Sequence, residues 1–348
     1  MIHTAELTMT TDFNKAIKIL TDYYQQEEVR KILATTRDKK INIPIQYQGI
    51  ADASISYIDR DYYRLYLIIE PQSLITGRKT IDVFDCSEES IYQLRTALPI
   101  AIKYISSILP TEERWTVSRI DYTVNLFSEY VKQCIELAKK GRDPYRYKDF
   151  INLQGSSYRQ SKTVILNFYD KLDEVRKKIE PASPNGYLLN EAENILRIEV
   201  QCLGNKKLKH IKDKFKLPTY ANIYDYLKSD IAKEIIFYYY KKVIGTGDYY
   251  SMNEAIKKIQ DTQWSNRKKE NVIKWLQLIA QARSVSRARE QFIAGTAIKN
   301  TQTLVKGTYN TFINYIKSCE EIDLNPVTIP KDWKIKYIPN PIKSQKIN

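Results

Sequence analysis

The sequence predicts an α+β fold, with an antiparallel-sheet domain followed by a basic helical C-terminal region. Three observations lead there. Between residues 54 and 84, short runs rich in Ile, Tyr and Leu alternate with polar breaks, the pattern of a sheet. Farther along, three strand-like runs carry charged residues, in two of them at a spacing of two. From residue 206 to about 296, apolar residues recur at helical spacing among many lysines and arginines.

Taken in order, the residues up to 32 read as helix, on the apolar face of Ala16, Ile17, Ile19 and Leu20. Strands follow over 54–58, 62–70 and 80–84, then a helix over 87–108 that ends before Pro110. In RWTVSRIDYTVNLF, Arg119, Asp121, Thr123 and Asn125 share one strand face, and Ile120, Tyr122, Val124 and Leu126 the other. One face is therefore polar enough to be a site. A helix over 128–140 stops at 141–144, and a loop containing Gly155, Ser156 and Ser157 precedes KTVILNFYDKLDEVRKK, a strand passing into a charged helix. PASPNG is a loop, and NILRIEVQCL is another strand. In the helical part, Val272, Ile273, Trp275, Leu276 and Ile279 keep an apolar face. The chain thus divides into a sheet-containing domain with an N-terminal helix (1–205), a basic helical region (206–300) and an extended strap or tail rich in proline and lysine (301–348).

Lysine and arginine total 55 against 41 acidic residues, a formal charge of +14 that attracts phosphate polyanions. Residues 205–299 hold 20 of the cations and 9 of the acids, a surplus of 11, so most of the excess sits in one region. This favours a nucleic-acid partner. The four cysteines, Cys86, Cys134, Cys202 and Cys319, are far apart and suggest reduced, mostly buried thiols rather than a zinc cluster or disulfide framework. No basic start followed by an apolar stretch opens the chain, and no apolar run approaches the roughly 20 residues that span a bilayer. The expectation is a cytoplasmic protein with no membrane contact.

Three clusters place charge inside β-prone runs: Arg119-Ile120-Asp121, Tyr169-Asp170-Lys171 with Glu174, and Arg197-Ile198-Glu199. Buried charges must meet each other, a metal or a wet cleft. The bland reading is a pair of strand salt bridges joining Arg119 and Arg197 to Asp121 and Glu199. If neighbouring strands bring the clusters together, Asp121 and Glu199 are a pair of hard oxygen ligands suited to Mg²⁺ or Mn²⁺. Tyr169 then becomes a nucleophile for phosphorus, although a phenol with pKa about 10 needs help to ionise. Lys171, on the same strand face if the strand persists, would give that help. Most of the 27 tyrosines must be packing or stacking residues, and Tyr238-Tyr239-Tyr240 are read as core or surface aromatics. For contact with the nucleic-acid backbone, Arg267, Lys268, Lys269 and Lys274 are the candidates.

In these clusters the sequence resembles the replication proteins of the filamentous-phage gene II type and, more distantly, the rolling-circle initiators of plasmids. That family has an Arg-x-Asp strand, matched by Arg119 and Asp121, then a Gly/Ser turn, matched by Gly155, Ser156 and Ser157. A Tyr-x-Lys-x-x-Glu segment follows at Tyr169, Lys171 and Glu174, and an Arg-x-Glu strand at Arg197 and Glu199. LIIEPQSLITG and NPVTIPKDW are similar to flanking passages, so the resemblance covers most of the chain. It implies an HUH-like sheet fold and a metal-dependent nickase that cuts a replicon origin, keeps the 5′ phosphate on tyrosine and leaves a 3′ hydroxyl as primer. DNA is the implied partner, with a host helicase as a further one. The wider class of tyrosine nickases holds metal through a His-hydrophobic-His pair, whereas this chain has only His3 and His210, in unrelated contexts. Carboxylates must then hold the metal, and a third ligand is left open. Two other readings stay open: a non-catalytic origin-binding protein, and a relaxase acting at a transfer origin.

Overall fold

The structure, a computed structural model, describes the chain except residues 36–39, 60, 145–146, 152–154, 180–182, 300 and 345–348. Two residues of the PASPNG loop and the last four of the expected tail thus lie outside the described residues.

Strand β1 (Ile2–Asp12) opens the chain. Its last residue caps α1 (Phe13–Thr21) by accepting from the Lys15 amide at 2.9 Å. The expected N-terminal helix therefore begins only at Phe13. Thr4, Thr8, Thr10 and Thr11 are β-branched, and they favour the pleated sheet over the helix that Ala16 to Leu20 do form. After α2 (Gln26–Thr35) come β2 (Ile41–Asn42), β3 (Ile50–Asp59) and β4 (Tyr62–Ile69), then α3 (Pro71–Thr76) and α4 (Glu88–Ile105). The strand expected over 80–84 is reduced to one bridge between Phe84 and Ile2. The second part of the sheet is built from β5 (Thr116–Phe127), α5 (Val131–Lys139), β6 (Lys148–Ile151), β7 (Ser156–Gln160) and β8 (Val164–Asp170). Then come α6 (Lys171–Arg176), α7 (Leu188–Glu191) and β9 (Ile195–Leu203). Ser156 and Ser157, expected in a loop, lie in β7. Ser157 and Arg159 are buried there, so the inward face is polar and hides the alternation.

All nine strands pair antiparallel, in the order β2-β3-β4-β1-β5-β9-β8-β7-β6. The helical part contains α8 (Gly204–Phe215), α9 (Ile223–Tyr226), α10 (Ser229–Val243), β10 (Tyr249–Tyr250), α11 (Met252–Gln260), α12 (Asn266–Ala282) and α13 (Val285–Ala294). It continues through β11 (Thr296–Ala297), β12 (Leu304–Val305), α14 (Tyr309–Glu321), β13 (Tyr337–Ile338) and α15 (Pro341–Ser344). These helices are not all separate from the sheet, because α8 and α10 pack on β5 and β9. Phe168 of β8 meets Tyr240 of α10 edge-on, with ring centroids 6.2 Å apart. Period two then sends Asn167 and Tyr169 to the opposite face. A smaller core of Ile81, Val175, Leu188 and Ala192 holds α6 and α7 beside β8 and β9.

Three of the cysteines are buried, Cys86 is partly so, and all four are free thiols. No helix among the described residues is long and apolar enough to cross a membrane.

The segment expected as an extended strap contains α14 and is locked down beyond it. Asn340 is fully buried; its Nδ2 donates to the carbonyls of Gly245 (3.1 Å) and Gly247 (2.9 Å), and its Oδ1 accepts from the Tyr240 hydroxyl at 2.5 Å. These bonds replace the water that a loose tail would keep. Asn340→Ala leaves several buried groups unpaired and should cost about 3 kcal/mol in urea unfolding. A loss below about 0.5 kcal/mol would show that the segment is not held this way.

Candidate active site

Strand register assembles the polar face. Across the β5–β9 pairing, Asp121 lies opposite Gln201, Thr123 opposite Glu199 and Asn125 opposite Arg197. Across β8–β9, Asn167 lies opposite Glu199 and Tyr169 opposite Arg197. The three sequence clusters therefore converge on one face. Arg119, Asp121, Tyr169, Glu174 and Glu199 border a cleft of about 340 Å³ that His3 and Asn167 also line, whereas Lys171 and Arg197 are not among its lining residues.

The Arg119 guanidinium forks onto Asp121, Nε to Oδ1 at 2.8 Å and Nη2 to Oδ2 at 2.6 Å, and the Thr4 hydroxyl also donates to Oδ2. Asp121 has no exposed surface. Burial pushes its carboxyl above the usual range, and the charge of Glu199 adds to that push against the pull of Arg119. Glu199 behaves in the opposite way. Burial alone would raise it, but hydrogen bonding and charge from His3, together with Gln201 and Arg197, bring it down to about 2. His3 Nδ1 lies 3.2 Å from Glu199 Oε2, and Gln201 Nε2 donates to Oε1 at 2.5 Å. The cleft thus holds one firm anion, Glu199, beside a carboxyl that resists ionisation.

Tyr169 is 8% exposed, and its hydroxyl donates to Glu199 Oε2 at 3.4 Å. Burial first, and the Glu199 charge second, push the phenol well above its ordinary range, while Arg197 opposes them. Lys171 does not share its strand face. The strand ends at Asp170, whose side chain caps α6 by accepting from the Leu172 amide at 3.0 Å, and Lys171 opens that helix. Its ammonium lies 2.6 Å from Glu174 Oε2, and burial, then Arg197, lowers its pKa to about 8. The cation acting on Tyr169 is Arg197.

Of the two strand salt bridges in the bland reading, Arg119–Asp121 is present, whereas an ion pair between Arg197 and Glu199 is absent among the described residues. Arg197 is fully buried; its Nε donates to Asn125 Oδ1 at 2.7 Å and its Nη2 to the Ile81 carbonyl, while Nη1 has no hydrogen-bond partner among the described residues. Asn167 Oδ1 is likewise buried without a hydrogen-bond partner among the described residues.

Among the described residues, no group of three His, Cys, Asp or Glu side chains is placed to hold a metal ion. The donors present fit a less enclosed arrangement. Mg²⁺ characteristically keeps several waters and takes one or two carboxylates plus substrate phosphate. Asp121, Glu199 and the orphaned Oδ1 of Asn167 are three hard oxygen donors along one cleft.

None of Arg267, Lys268, Lys269 and Lys274 borders the cleft. All four lie on α12. There Lys268 Nζ sits 4.1 Å from the Trp264 ring centroid, Lys269 Nζ donates to the Gln260 carbonyl at 2.7 Å, and Lys274 Nζ is 3.9 Å from Glu270. Arg267 is exposed, and Lys268, Lys269 and Lys274 are half-buried.

His3, Thr4, Asn167 and Gln201 are site residues that sequence reasoning missed. For Asn167 and Gln201 the signal was present, since each stands two residues from a chosen one in the same strand. His3 and Thr4 were hidden by the reading of residues 2–12 as helix. No protein-family model matches the chain, and no curated protein matches it.

Glu174 gives a pH test. Burial opposes its ionisation, but Lys171 and Lys178 bring its pKa down to about 2, below the unfolded value. Its contribution to stability is therefore complete above about pH 5 and lost as the pH falls toward 2. From pH 6 to pH 3.5, Glu174→Gln should lose roughly 1 kcal/mol less stability in urea titrations than the parent. Parallel losses would remove Glu174 from the ion-paired set.

Proposed function

We propose that the chain is a cytoplasmic rolling-circle replication initiator. On this reading it nicks one DNA strand with Tyr169, by metal-assisted transesterification within an HUH-like sheet domain that lacks the histidine pair. One observation carries the reading: the Tyr169 hydroxyl lies 3.4 Å from Glu199 Oε2 on a polar sheet face that also holds Asp121 and Arg119 and borders the cleft. The order of motifs shared with the gene II type replication proteins supports it independently.

In the step proposed, the phenol oxygen of Tyr169 bonds to phosphorus and the phosphorus–O3′ bond breaks. The tyrosine proton leaves toward Glu199, and a proton from water converts the departing O3′ to the primer hydroxyl. Transesterification conserves the bond, so resealing needs no nucleotide. With so weak a base at Glu199 and so weak an acid at Tyr169, the phenol stays protonated until positive charge enters the cleft. The fixed charge of Arg197 already opposes burial at the phenol and does not by itself free the proton. Mg²⁺ or Mn²⁺ held by Asp121 and Glu199, with Asn167, would polarise the scissile phosphodiester. Arg119 holds Asp121 in place, and the Lys171–Glu174 pair fixes the start of α6 beside the cleft.

A second reading, non-catalytic origin binding, draws support from Asp121, both of whose oxygens are already engaged by Arg119 and Thr4. Incubating the protein with supercoiled plasmid carrying its replicon origin and Mn²⁺ separates the two. The parent should nick the plasmid and carry DNA through denaturing electrophoresis. Tyr169→Phe should lose the covalent species while keeping DNA affinity within about twofold. Glu199→Gln should lower the cleavage rate by about 10²-fold or more. Plasmid bound yet left intact by the parent would favour the binding-only reading.

A further inference from the structure

The helical part holds an arrangement that the cleft does not use. Only Arg283 and Ser284 join α12 to α13. Arg283 adopts the left-handed conformation, φ 53°, that ends the first helix, and Ser284 caps the second by accepting from the Arg287 amide at 3.3 Å. An aromatic core fixes the pair. Trp275 of α12 and Phe292 of α13 both meet Phe312 of α14 edge-on, at centroid distances of 5.2 and 5.6 Å. The β11–β12 hairpin follows α13 directly, and Gln281 ties it to α12: Nε2 donates to the Ala297 carbonyl at 3.3 Å and Oε1 accepts from the Lys299 amide at 2.9 Å. Where the hairpin leaves, Gly307 passes so close to α13 that a Cβ there would lie 2.4 Å from the Phe292 ring.

The outer surface of this unit is basic. Residues 283–306 contain five cations, Arg283, Arg287, Arg289, Lys299 and Lys306, and one acid, Glu290. Arg283 and Arg287, at the start of α13, are exposed, as are Lys299 and Lys306 on and after the hairpin. Ten residues of α13 make a rod of about 15 Å, and the major groove, about 12 Å wide, admits a helix.

We propose that α12, α13 and the hairpin form a helix–turn–helix module that reads duplex DNA. Helix α13 lies in the major groove, with Arg283 and Arg287 at base edges and Lys299 and Lys306 against phosphates. A second helix entering the groove by its N-terminal residues is how such pairs read sequence, and arginine forks onto guanine. This places readout on α13 rather than at the start of α12, where Lys268 and Lys269 are engaged within the chain. The inference rests on the reading above as far as DNA binding, not on the nick.

Selection of bound duplexes from a random-sequence library by the full chain tests it. The parent and Tyr169→Phe should enrich one shared consensus. Arg287→Ala should lose preference at one or two positions of it and bind the parent consensus about tenfold more weakly. Arg287→Lys should lose the same preference while keeping the salt slope, since the charge remains and the fork is gone. Either no consensus with the parent or a complete consensus with Arg287→Ala overturns the proposal. Failure of the parent to nick duplexes carrying its own consensus would instead count against the nickase reading alone.

Discussion

Glu199 sets the terms for the rest of the site. A carboxylate that is 5% exposed and still strongly acidic must be surrounded by donors, or burial would neutralise it. The donors come from three strands: His3 on β1, Tyr169 on β8, and Gln201 beside it on β9. Asp121 then cannot ionise as readily in the same cleft, and its fork with Arg119 does not fully offset burial and the neighbouring charge. The convergence of side chains from three strands on Glu199 is what makes the cleft more than a set of ion pairs. It also constrains the fold, because a one-residue slip of β9 would carry Glu199 to the helix-covered face.

The two faces of the central strands divide the labour of stability and chemistry. Ile120, Tyr122 and Val124 of β5 and Ile198, Val200 and Cys202 of β9 are buried on the face that α8 and α10 cover. The other face keeps its charges, and two polar atoms there, Arg197 Nη1 and Asn167 Oδ1, have no hydrogen-bond partner among the described residues. Each such atom costs about 1–3 kcal/mol. Local violations of good packing chemistry tend to gather where function is exercised. Here both lie in the strands that carry Tyr169 and Glu199.

Much of this was legible in the sequence where one periodicity dominates. Arg119 and Asp121, and likewise Arg197 and Glu199, fall two apart inside β-prone runs, so their shared face followed from the pleat. The reading weakened where a local signal spilled over its boundary. The strong apolar face of Ala16 to Leu20 drew residues 2–12 into a helix, so His3 was weighed only as an isolated histidine and not as a strand residue of the site. Lys171 was misplaced because nothing local marks the end of β8 except Asp170, whose capping role emerges only once the helix forms. The exchange of partners, with Arg197 turning to Asn125 and Ile81 and leaving Glu199 to His3, depends on contacts far apart in the chain. No spacing rule contains it.

The central claim is that Tyr169 is the nucleophile and Glu199 the anion that receives its proton. Peptide mapping by mass spectrometry of the covalent protein–DNA species trapped during cleavage tests this most directly. The account predicts a nucleotide remnant on the peptide carrying Tyr169, and none on the peptides carrying Tyr158 or Tyr187. A remnant on another tyrosine, or cleavage with no protein-bound remnant at all, would contradict it.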